Sequence, residues 1–70
     1  MRALSSMSHA FLYRGHRVDV EAVSAGERWR WRYRVDDGPD VYGPPPGFLL
    51  ERASLAEGSQ MARSAIDSLP

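Results

Sequence analysis

The chain has 70 residues, nine arginines, no lysine, nine acidic side chains and no cysteine, and its formal net charge is zero. So short a chain forms one domain that buries only about 60% of its unfolded surface, which leaves little room for a deep catalytic cavity. Without cysteine it has no disulfide framework, zinc finger or thiol nucleophile.

Hydrophobic content of 43% with 26% charged residues lies in the globular range. No apolar run approaches the roughly 20 residues of a membrane span, and Met1 to Tyr13 holds no signal-peptide apolar core. A cytoplasmic domain without membrane contact is expected. Lysine, asparagine, threonine and cysteine are all missing while arginine and alanine abound, as GC-rich codons would produce, which points to a bacterial source.

In chain order, residues 1–8 are small and polar and are expected to be disordered, leaving 9–70 as one domain. From Ala10 the period is two. Phe11 and Tyr13 alternate with Leu12 and Arg14, and Arg14-Gly15 offers a tight turn. Val18, Val20 and Ala22 then alternate with Arg17, Asp19 and Glu21. After a second turn, Arg28-Trp29-Arg30-Trp31-Arg32-Tyr33-Arg34-Val35 alternates without a fault, the pattern of a half-buried antiparallel strand. With Ala25-Gly26 at the hairpin tip, Ala22 would face Trp29, Val20 would face Trp31 and Val18 would face Tyr33. On the reverse face Glu21 would meet Arg30 and Asp19 would meet Arg32.

Asp36-Asp37-Gly38-Pro39-Asp40 reads as a turn, and Val41-Tyr42 as a brief strand. Pro44-Pro45-Pro46 favours a stiff polyproline connector, and Phe48-Leu49-Leu50-Glu51 a short last strand. Ser54-Leu55-Ala56-Glu57 has the spacing of a capping box, which predicts a helix over about 55–69, with Leu55, Gly58, Ala62, Ala65, Ile66 and Leu69 on one side. Glycine inside a helix costs about 1 kcal/mol relative to alanine, a cost that close approach to a bulky strand face would justify. The expected fold is α+β: a single antiparallel three- to four-stranded sheet with one C-terminal helix on its aromatic face, in the order β-β-β-(β)-α.

Tyr13-Arg14-Gly15-His16-Arg17-Val18, Trp29-Arg30-Trp31 and Ala65-Ile66-Asp67 together give a chain that resembles small bacterial proteins without an established activity. These have a tyrosine–basic–glycine turn, a tryptophan-rich central strand and a closing alanine-rich helix. The resemblance covers about residues 11 to 69 and implies the α+β architecture. It brings no catalytic residue, and the proline loop departs from its pattern.

Arg28, Arg30, Arg32 and Arg34, with Arg17 on the neighbouring strand, form the candidate contact surface. Guanidinium groups bind phosphate in bidentate fashion, so the stripe could serve as a nucleic-acid platform. A solvated face, neutralised in part by Asp19 and Glu21, is the plainer alternative. Residues 1–35 carry +4 and residues 36–70 carry −4, so the chain is a charge dipole rather than a basic protein. His9 and His16 lack the further ligands a metal needs, Asp36, Asp37 and Asp40 lack a calcium-loop pattern, and no nucleophile–base arrangement can be assembled. The expectation is therefore a non-enzymatic protein-interaction or self-association module without cofactor or metal, its partner being another protein or a second copy of itself. The alternative is a nucleic-acid-contacting module using the arginine face.

Overall fold

The computed structural model describes residues 7–70. Four antiparallel strands, β1 (Ser8–Tyr13), β2 (His16–Ala25), β3 (Arg28–Val35) and β4 (Val41–Tyr42), form a sheet in chain order, followed by helix α1 (Glu51–Asp67). The fold is thus α+β with an open four-stranded meander. Of the segment 1–8 expected to be loose, residues 1–6 lie outside the described residues, and Ser8 opens β1.

Two-residue turns set both hairpins. Arg14 and Gly15, at φ 51° and 82°, join Tyr13 to its partner His16, and positive φ at both central residues is the condition for the tight turn that matches strand twist. The second hairpin differs from the sequence reading. Its tip is Gly26-Glu27, with Gly26 at φ 70°, so the register lies two residues from the expected one. Ala22 faces Trp31, Val20 faces Tyr33 and Val18 faces Val35. The expected tip would have put Ala25 at the first loop position, where a side chain resists positive φ and glycine does not. A slip of two keeps every residue on its own face, so the division into an apolar side and an arginine side survives.

The core joins Val18 and Val20 of β2 and Trp31 and Tyr33 of β3 to Ala62 and Ile66 of α1, with Phe11, Tyr13, Val35, Phe48, Leu55 and Ala65 packed around it. Trp29 lies outside this cluster. It faces Ser24, and its backbone exchanges two hydrogen bonds with Phe48, each 2.7 Å. The proline segment therefore leaves the β3 edge at β4 and returns to it at Phe48. Gly43 is buried against the Trp31 indole, where a Cβ would stand 2.6 Å from the ring. Phe48 supplies only this isolated bridge; Leu49 and Leu50 are exposed and Glu51 already belongs to α1, so the expected last strand does not form.

The helix begins a turn earlier than the capping-box reading places it. Leu50 occupies the cap position with no side-chain cap hydrogen bond, and Glu51 supplies an acidic first turn that complements the helix dipole. The main-chain N–H of Met7 also donates to Glu51 Oε2 at 2.7 Å. Ser54 lies within α1 and is fully buried, its Oγ without a hydrogen-bond partner among the described residues. The physical reason is its place on the i, i+4 row Ser54-Gly58-Ala62-Ile66, the ridge that meets the sheet. α1 ends at Asp67, so Leu69, expected on the buried face, lies beyond the helix and is exposed.

Ser54→Ala separates the two roles. Relief of a buried, unpaired hydroxyl and better helix propensity should stabilise the domain by about 1 kcal/mol. Loss of a capping serine would instead cost about 1 kcal/mol. Chemical denaturation of the variant beside the parent reads the sign.

Candidate functional site

Alternation along β3 places Arg28, Arg30, Arg32 and Arg34 on the face of the sheet away from α1, with Arg17, Asp19 and Glu21 of β2 beside them. The structure brings these residues together and pairs the guanidinium groups within the chain. Arg32 donates from Nε and Nη2 to Glu21 Oε1 at 3.1 and 2.8 Å, and from Nη1 to Asp40 Oδ1 at 3.1 Å. Its side chain is only 17% exposed. Arg34 Nε donates to the same Asp40 oxygen at 2.9 Å. Arg30 Nε donates to the Gly43 carbonyl at 2.7 Å, and Arg28 Nη1 reaches the Gly47 carbonyl at 3.5 Å, a long contact. Arg17 Nη2 donates to Asp37 Oδ1 at 2.7 Å, an ion pair exposed enough to contribute little.

The expected cross-strand pairs do not form. Glu21 binds Arg32 instead of Arg30, because the register is shifted. Asp19 lies opposite Arg34, yet Arg34 turns toward Asp40, and Asp19 has no ion pair among the described residues. Sequence reasoning missed the acceptors that matter most. Asp40 reads as a turn former, but the chain reverses after Val35 and returns its carboxylate beneath two arginines. The Gly43 and Gly47 carbonyls carry no sequence signal at all. The stripe thus ties the turn 36–40 and the proline loop to the sheet.

These contacts set the titration of the groups involved. The hydrogen bond from Arg34, aided by the charges of Arg34 and Arg32, holds the Asp40 carboxyl below its ordinary value against partial desolvation. The Asp36 carboxyl is also lowered, first by its hydrogen bond with His16 at 2.9 Å and then by the Arg17 N–H at 3.0 Å. Arg32 is raised, chiefly by its hydrogen bond to Glu21.

Elsewhere the surface offers three features. Tyr42 is 53% exposed and faces Arg32, which places one aromatic ring on the arginine side. An open apolar groove of about 350 Å³ runs between the end of α1 and β4, lined by Val35, Pro39, Val41 and Leu69 among others. The outer edge of β1 has no partner strand among the described residues. His9 sits beside Phe11, with ring centroids 5.2 Å apart, and His16 is engaged with Asp36. Among the described residues no three histidine, aspartate or glutamate side chains gather as a metal site would require, and no helix is long and apolar enough to cross a membrane.

A carboxylate whose pKa is lowered by folding contributes stability above its unfolded value and loses that contribution as pH falls through the folded value. The domain should therefore lose stability on acidification below the ordinary aspartate value of 3.8. Asp40→Asn should flatten that loss in denaturation measured across a pH series, whereas an unchanged slope would show that the carboxylate does not contribute.

The chain matches no known family, no curated protein and no solved structure.

Proposed function

We propose that this domain is a non-enzymatic interaction module that recruits a protein strand to the open edge of β1. The observation that carries the reading is the composition of that edge. Ser8–Tyr13 contains no lysine, arginine, acid or proline, the residues with which sheet proteins ordinarily block unwanted pairing, and Leu12 stands 74% exposed on it. An extended partner would gain main-chain hydrogen bonds for affinity and contacts at alternate side chains for specificity. The opposite edge is only the two residues of β4, followed by the proline loop.

Single-stranded nucleic acid on the outer face is the second reading, supported by exposed Tyr42 beside Arg32. Stacking on aromatic rings is what such a ligand needs, but Trp31 and Tyr33 are buried and the arginines already have acceptors within the chain.

Extended peptides selected from a random library for binding to the domain provide the test. They should slow amide exchange at Ser8, Ala10 and Leu12 and lose affinity for a Leu12→Lys variant. Binders that instead map to the apolar groove or to Arg28–Val35, or that ignore Leu12→Lys, would refute edge recruitment.

A further inference from the structure

Among the described residues, the outer main-chain groups of β1 have no partner strand, and their direction identifies a partner that fits them. Met7 lies opposite Ala22 in the continued register and accepts a hydrogen bond from the Ala22 N–H at 3.0 Å. Antiparallel pairs alternate between hydrogen-bonded and non-bonded positions. His9, Phe11 and Tyr13 therefore turn their N–H and C=O groups toward β2, as Met7 does with its C=O while its N–H binds Glu51, whereas Ser8, Ala10 and Leu12 turn theirs outward. Among the described residues, the free edge is a row of three alternate residues with Ala10 at its centre.

We infer that this edge pairs with the β1 edge of a second copy of the chain, antiparallel and centred on Ala10, giving a continuous eight-stranded sheet with both helices on one face. The inference rests on the edge-recruitment reading and names its partner. A two-fold axis normal to the sheet makes a residue face its own copy. Among the described residues, only the Ala10 centre uses every outward position of β1: Ala10 faces Ala10, and Ser8 faces Leu12 in both directions, each pair exchanging both hydrogen bonds. Centring on Phe11 would leave Ser8 opposite Arg14, which is already in the turn at φ 51°.

Side-chain chemistry agrees with this register. β1 carries no Lys, Arg, Asp or Glu, so its self-pairing brings no like charges together. Ala10 puts the smallest side chain at the axis. Leu12, the most exposed large apolar residue of the described chain, would be covered by Ser8 of the second copy. On the helix side His9 would meet Phe11 of the second copy, repeating across the interface the aromatic contact that the two residues make within the chain. Arg63, 5.4 Å above the Phe11 ring, would cap this row from α1.

Sedimentation of the full chain from micromolar to millimolar concentration, joined to isotope-filtered NMR on a mixed labelled and unlabelled sample, tests the proposal. The expected result is a concentration-dependent dimer with intermolecular Hα–Hα contacts between His9 and Phe11, the signature of a facing non-bonded pair. Ala10→Pro deletes an outward N–H without removing a β1–β2 bond and should weaken the dimer at least about tenfold. Leu12→Lys should do the same and serves if the proline variant fails to fold. A chain that stays monomeric throughout would overturn self-pairing while leaving edge recruitment to stand on its own peptide test. A dimer that ignores both variants, or one with Phe11 facing Phe11, would overturn the register and the inference with it.

Discussion

The approach of α1 to the sheet depends on the missing side chain of Gly58. A Cβ there would stand 2.6 Å from the Trp31 Cβ and 2.9 Å from Val20 Cγ1, both belonging to buried residues with nowhere to move. The small ridge Ser54-Gly58-Ala62 lets the helix settle onto Val20 and Trp31, and Ile66 closes its far end. The helical cost of glycine, about 1 kcal/mol, is offset by burial of large strand side chains at roughly 25 cal/mol per Å² of apolar surface. Gly43 repeats the device on another side of the same indole, so Trp31 is held between helix and loop.

Covering one face of the sheet in this way leaves the other face and the edges to do anything further. The outer face carries the guanidinium groups, and their acceptors are internal: Glu21 and Asp40 for Arg32, Asp40 for Arg34, loop carbonyls for Arg28 and Arg30. Arg32 in particular is largely enclosed between two carboxylates, a geometry in which charge-assisted hydrogen bonds are stronger than on an open surface. These contacts fasten the long connection between β3 and α1, regular only at the two residues of β4, to a small domain. The zero net charge thus hides a spatial arrangement in which the acidic turn after β3 folds back over the basic strand. Among the described residues, the outward main-chain groups of β1 are left without a partner strand.

The alternation of β2 and β3 is legible in the sequence because period two needs no tertiary information, and so are the Arg14-Gly15 turn, the brief β4 and the C-terminal helix. The hairpin register is not read correctly from side-chain complementarity, since a slip of two preserves every face and nearly every apolar match. Only the φ demanded at the tip distinguishes Gly26-Glu27 from Ala25-Gly26. Ser54 misleads because the same residue satisfies the spacing of a cap and the spacing of a buried ridge, and packing chooses the ridge. Asp40 and the loop carbonyls escape because their meeting with the arginines depends on the path of the chain between Val35 and Phe48, which has no period to read.

In the proposal above, the arginine stripe is consumed by the fold and interaction is left to the β1 edge. NMR observation of the arginine Nε–Hε groups tests it most directly. Bound to Gly43 and Asp40, the Hε protons of Arg30 and Arg34 should be dispersed, slow to exchange with water and unmoved by a single-stranded oligonucleotide at low salt. Free-guanidinium behaviour of these groups, or their displacement together with the Tyr42 ring as oligonucleotide is added, would return the outer face to nucleic acid.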